Sequence, residues 1–236
     1  LAHQELSCKS CHTSWATQCV SCHTEYKPNQ TGFDLLAEKE TKGDWQETAS
    51  NYISEAPTLG IRIVKEPDDS VKDIVDTFIP GMILTIHKKG LNPISLVDKN
   101  TIFRRFYAPA SPHTIMKGGR SCKSCHNNPV ALGYGRGKLE YVKKGKFGKW
   151  VFTPRFPLIK YDNLPEDAWI GFLKTRSKDM ATRTNVRPFN VEEQKKILTA
   201  GACLTCHQGT SQPMQQYLNT GIMPNPSAKC LIPKWN

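Results

Sequence analysis

One five-residue pattern occurs four times in the chain. It stands at Cys8–His12, Cys19–His23, Cys122–His126 and Cys203–His207. Each copy carries two thiols separated by two residues and an imidazole directly after the second. Two thiols so spaced can add to the two vinyl groups on one edge of a haem. Sulfur bonds one vinyl carbon and hydrogen goes to the other. The following histidine then lies under the iron, on its proximal side. Cys8, Cys11, Cys19, Cys22, Cys122, Cys125, Cys203 and Cys206 are therefore read as thioether residues. His12, His23, His126 and His207 are read as proximal iron ligands. Four c-type haems are implied.

Zinc is the first rival, because paired CxxC motifs build thiolate sites. Those sites do not need a histidine after every second cysteine, and all four copies have one. A thioredoxin-like motif would occur once, near a βαβ pattern. Of nine cysteines, only Cys230 lies outside the motifs. It is read as a buried free thiol or a site of intermolecular pairing.

Seven histidines are present, and four are proximal. The other three, His3, His87 and His113, are candidates for the distal position on iron. His3 is expected to serve the first or second haem, while His87 and His113 carry no assignment. A fourth distal ligand must come from elsewhere. Met223 is the leading candidate within the chain. Met82, Met116, Met180 and Met214 are better read as gap-filling apolar residues. A histidine from another subunit or from an upstream segment, or an open iron, would also meet the count.

The totals bound the rest. At 236 residues, one or two domains are expected. The formal charge is +11 and unevenly placed. Residues 117–160 hold eleven Lys or Arg and one acid, while 34–76 hold eleven acids and five bases. Haem propionates would lower the net charge, so nucleic acid is not the expected partner. The two regions suit docking to a redox partner or to a second copy of the chain. Head-to-tail contact of acidic 34–76 with basic 117–160 would give a homopolymer. No apolar run is long enough to span a bilayer as a helix, so the chain is read as not membrane-spanning. No signal peptide is visible at Leu1. Export has removed a leader, or the chain is the end of a longer one. Covalent haem attachment implies a periplasmic or extracellular location.

The chain around the motifs is expected to fall into three parts. Residues 1–26 form a dihaem N-terminal segment, with Trp15 packed on a porphyrin face. Residues 27–110 form a haem-free insert, polar and loop-rich to about residue 72, with a turn at Lys27-Pro28-Asn29. Strands are predicted at 58–64, 82–87 and 101–107, the second beginning after a break at Pro80-Gly81. Residues 111–236 form a dihaem C-terminal segment. It holds a turn at Gly118-Gly119, a β-hairpin with arms at 139–142 and 149–152, and a helix over 165–176. A second helix starts at Asn190 with Glu193 in the capping-box position. The tail after Gln208 is read as irregular. The predicted fold class is mostly irregular, with short α-helices and small β elements organised around four haems.

On the twelve Cys and His residues of its motifs, the chain resembles the multihaem c-type cytochromes of bacteria and archaea. These include tetrahaem subunits that polymerise into extracellular conductive fibres and longer cytochromes of respiratory electron exit. The run Gly221-Ile222-Met223-Pro224 resembles the distal-methionine loop of small monohaem cytochromes c. Only fifteen residues separate His207 from Met223, fewer than that family usually places there. The resemblance implies electron transfer through closely spaced haems, with fibre formation as an extension. The alternative is a multihaem oxidoreductase. One five-coordinate haem would act on a small nitrogen or sulfur compound, with Arg120 and Arg136 holding an anion near the third haem. No GxSxG, Walker or zincin motif points to other catalysis.

Overall fold

The computed structural model describes residues 3–87, 101–175, 180–227 and 230–235. Among them the chain forms eight strands and four helices. The strands are β1 (Ala16–Asp34), β2 (Lys39–Glu55), β3 (Thr58–Lys65), β4 (Val71–His87), β5 (Thr101–Pro109), β6 (Gly137–Lys144), β7 (Phe147–Pro154) and β8 (Val186–Arg187). The helices are α1 (Cys8–His12), α2 (Cys122–His126), α3 (Val191–Cys203) and α4 (Gln212–Thr220). The fold is therefore dominated by sheet. This corrects the expectation of a mostly irregular, small-helix multihaem architecture. No helix among the described residues is long and apolar enough to cross a membrane.

One six-stranded sheet runs β2-β1-β4-β3-β8, with β5 also paired to β4. Strand β4 is its axis: antiparallel to β3 and β5, and parallel to β1 over Cys22–Glu25. The long β1–β2 hairpin occupies the region read as loop. Its residues are polar because much of it is exposed on both faces, so no period-2 pattern marks it. Lys27-Pro28-Asn29 is not a turn. It lies where the β1–β2 register shifts, and a bulge is where a strand tolerates proline. The real turn follows Asp34, whose carboxylate accepts the Leu36 and Ala37 N–H groups at 2.9 and 3.0 Å. Likewise Pro80-Gly81 does not start a strand. β4 passes through it with a bulge between Pro80 and Met82.

Strands β3 and β5 cover the segments predicted at 58–64 and 101–107. The β6–β7 hairpin forms where its arms were predicted, turning at Gly145, whose φ is +62°. The capping box of α3 is complete: Asn190 Oδ1 accepts the Glu193 N–H at 2.9 Å, and Glu193 Oε2 accepts the Asn190 N–H at 2.7 Å.

Two helix expectations are corrected. Over 165–175 the chain makes turns, not a helix, and residue 176 lies outside the described residues. The buried guanidinium of Arg105 takes the carbonyls of Pro165, Glu166 and Ala168 at 2.8, 2.9 and 2.6 Å. It also pairs with both carboxylate oxygens of Asp162. Tyr107 donates its hydroxyl to the Asp167 carbonyl. Carbonyls held by an arginine and a tyrosine are not available to a helix, and tertiary bonding overrides the local propensity. The tail after Gln208, in contrast, does form a helix. α4 has Ser211 as N-cap residue, Pro213 in its first turn and Gly221 in the left-handed conformation as its cap.

The main core packs Leu59 and Ile61 of β3, Trp150 of β7 and Leu198 of α3 around Tyr134. A second cluster holds Phe78, Tyr107, Trp169, Met180 and Val186. Gly60 admits the Trp169 ring: a Cβ there would lie 2.6 Å from it.

Candidate functional site

The four motifs sit on different supports. The first is α1, a five-residue helix that is far too short to hold itself. Ser7 caps it, and β4 fastens it. Ser10 Oγ donates to the Val75 carbonyl at 2.7 Å, and the Ser7 N–H donates to the same carbonyl at 2.9 Å. The buried Asp76 carboxylate accepts Ser7 Oγ at 2.9 Å, Lys9 Nζ at 3.1 Å, Arg62 Nε at 2.6 Å and the Thr77 N–H at 2.9 Å. Burial alone would raise the Asp76 carboxyl. The Thr77 N–H, Lys9 and Ser7 outweigh that and hold it below the ordinary carboxylate range.

The third motif repeats this design. α2 is capped by Ser121, whose Oγ accepts the Ser124 N–H at 3.2 Å. It rests on α3, with Asn127 Nδ2 donating to the Gly201 carbonyl at 3.2 Å. The serine before each of these motifs is a cap signal that a reading centred on Cys and His passes over. Asp76 has no such local signal.

The second motif is not helical. It lies within β1, where residues three apart would normally point to opposite faces. Ser21 takes φ +62°, and this kink brings the Cys19 and Cys22 sulfurs to 3.8 Å. Burial, followed by the neighbouring Cys19, pushes the Cys22 thiol up to about 11. The fourth motif closes α3. Its last turn continues past Leu204, the His207 N–H donating to the Cys203 carbonyl at 2.9 Å. The Cys206 thiol is lowered by Thr205 and then by Lys143, whose Nζ lies 3.4 Å from its sulfur.

Two of the motif histidines show which ring nitrogen is free. His12 Nδ1 lies 3.3 Å from the Met116 carbonyl, and His126 Nδ1 lies 2.9 Å from the Ile197 carbonyl. A carbonyl only accepts, so Nδ1 carries the proton in both and Nε2 keeps its lone pair. Burial lowers the pKa of His126 and so favours the neutral ring. Metal-ligating histidines have this arrangement.

The expected distal ligands fall out as follows. The His3 ring faces that of His126, the histidine of the third motif, with centroids 6.0 Å apart. The His87 ring lies 4.6 Å from that of His23, edge-on, and Thr101 Oγ1 is 2.7 Å from His87 Nδ1. Met223 lines a cavity of about 230 Å³ together with Cys203, His207, Met214 and Tyr217. His113 is exposed, on a segment that pairs with the residues just after the first motif. Trp15 is 45% exposed, and Met180 is a buried core residue. Cys230 is exposed, not buried, and edges the fourth motif's cavity.

Three motifs adjoin one another. The Arg120 N–H donates to the Cys11 carbonyl at 2.8 Å, linking the first to the third. A side chain at Gly209 would collide with Cys122 Sγ, which places the third against the fourth. The two arginines expected to hold an anion differ. Arg136 Nε is paired with Glu55 at 2.9 Å. Arg120 Nε and Nη2 are buried with no partner among the described residues. Two unused donors of a guanidinium suit a carboxylate, and haem carries two.

Among the described residues, no three His, Cys, Asp or Glu side chains converge on one point. A haem iron takes one or two protein ligands, the porphyrin supplying the rest. The chain matches no protein-family model, no curated protein and no solved structure.

Proposed function

We propose that the chain carries covalently bound c-type haems and transfers electrons through them outside the cytoplasm. The observation that carries this reading is the tautomer imposed on His12 and His126. Each follows a CxxC pair, and each has Nδ1 tied to a main-chain carbonyl, leaving Nε2 for a metal. Bound haem supplies a one-electron iron couple. The protein's own part is to fasten the groups and order them. The eight motif thiols tether, the four motif histidines ligate, and His3, His87, His113 and Met223 are the distal candidates. The cavity shared by His207 and Met223 supports a His/Met pair at the fourth motif, which would give that site a higher potential than bis-His ligation. At the second motif the His23 and His87 rings must part before an iron fits between them.

Docking to redox partners, or to further copies of the chain, falls to the acidic 34–76 and basic 117–160 regions. Within a single copy these regions already meet, through the Arg136–Glu55 ion pair, the Arg120 guanidinium on the Pro57 carbonyl and the Leu59 N–H on the Ala131 carbonyl. Intact-mass and absorbance measurements on protein matured in an oxidising, haem-loading compartment test the proposal. Four porphyrin adducts that reduce and reoxidise reversibly are the expected result. Bound zinc, or no adduct, overturns it. A high-spin fraction that binds cyanide or nitrite would transfer the reading to a haem enzyme.

A further inference from the structure

We infer that His3 and His126 are the two axial ligands of a single iron, so that the segment before the first motif completes the haem site of the third. The inference rests on the haem reading proposed above.

Two imidazoles that hold one metal from opposite sides each place a nitrogen about 2 Å from it. The ring centre lies roughly 1 Å further back, so the two centres stand about 6 Å apart. The centroids of His3 and His126 are 6.0 Å apart, with 31° between the ring planes. That gap is too wide for stacking contact and matches the width of one coordinated metal. The comparison within this chain is His23 with His87, at 4.6 Å and edge-on, where no metal fits as the rings stand. The His126 tautomer is also right, since Nδ1 is occupied by the Ile197 carbonyl.

The position of His3 does not depend on a loose chain end. The following residues are bonded to β4: the Val75 N–H donates to the Glu5 carbonyl at 2.7 Å, Leu6 bridges Val75, and Lys72 pairs with Glu5 at 3.1 Å. The Leu6 N–H returns to the His3 carbonyl at 3.3 Å. The same strand that fastens α1 therefore holds His3. The third motif comes to meet it through Arg120, whose N–H reaches the Cys11 carbonyl. Among the described residues, no ring contact joins His3 to His12 or His23. One iron would thus tie residue 3 to residue 126, locking the N-terminal segment to α2 and placing the first and third haems side by side.

The test uses the full chain matured with haem. In His3→Ala, intact mass should still show the wild-type number of porphyrins, while electron paramagnetic resonance of the oxidised protein shows one haem converted from low to high spin. Added imidazole should restore the low-spin signal. Removing the third haem by Cys122→Ser with Cys125→Ser should abolish the effect of His3→Ala. If that variant does not fold, His126→Met replaces it. The His3→Ala/His126→Met double variant should then alter one haem, whereas ligands on separate irons would alter two. A high-spin signal that survives loss of the third haem, two altered haems in the double variant, or an unchanged spectrum in His3→Ala overturns the pairing and leaves the haem reading intact. Absence of porphyrin overturns both.

Discussion

Replacing Asp76 by Asn should loosen the first motif from the sheet. The side chain of Asp76 is fully buried and takes four donors: Ser7, Lys9, Arg62 and the Thr77 N–H. Removing one member of a buried ion pair costs about 3–5 kcal/mol. Lys9 and Arg62 keep 32% and 36% of their side chains exposed and can turn to water, which discounts the loss. Ser7 and Thr77 can still bond the Asn oxygen. The expected cost is therefore about 3 kcal/mol at pH 7. Its pH dependence follows from the depressed carboxyl. The folded value lies below the unfolded one, about 3.9. The stabilisation is thus present above that value and is lost as pH falls through the folded one. Guanidinium unfolding followed by far-UV circular dichroism at pH 7, 5 and 3 measures it. The gap between wild type and variant should be nearly constant from pH 7 to 5 and shrink at pH 3. A gap under about 0.5 kcal/mol at pH 7, or one that does not change with acid, would refute the role given to this carboxylate.

Arg105→Met removes the guanidinium that holds Asp162 and the carbonyls at 165, 166 and 168. A loss of about 3–5 kcal/mol is expected, with faster hydrogen exchange confined first to residues 162–170. Asp167→Asn should act oppositely. Burial raises the Asp167 carboxyl to about 6, and its Oδ1 is buried with no partner among the described residues. A folded value above the unfolded one gives stability at low pH that is lost as pH rises from about 4 to 6. The variant should lack that decline and gain about 1–2 kcal/mol at pH 7, read as a raised unfolding midpoint. Asn190→Ala removes the side-chain half of the α3 capping box, leaving the main-chain N–H at 190 on Glu193, and should cost about 1 kcal/mol in denaturant unfolding. Met223→His should lower the potential of one haem in a redox titration while leaving the others in place, and no change would remove Met223 from the fourth site.

What was legible in the chain rests on local patterns. Thiol and imidazole spacing within five residues, the Asn190–Glu193 box and the β6–β7 hairpin are all short-range. Each is fixed by side chains a few positions apart, and the structure places the box and the hairpin as predicted. Other elements were not legible. The β1–β2 hairpin carries no apolar alternation because much of it faces solvent on both sides. The turns at 165–175 carry a helix signal that Arg105 and Tyr107 override from some sixty residues away. The second motif was readable as a motif, but not as a strand kinked at Ser21.

Local pattern supplies the groups themselves: two thiols and an imidazole, four times over, with three histidines to spare. Which of them meet depends on the folded chain. His3 precedes the first motif yet faces the histidine of the third, because both are held by bonds to β4 and α3 that no local pattern encodes. Spacing along a chain constrains groups a few residues apart. Beyond that range, partners are chosen by strand pairing and by buried anchors such as Asp76, whose partners lie as many as 69 residues away.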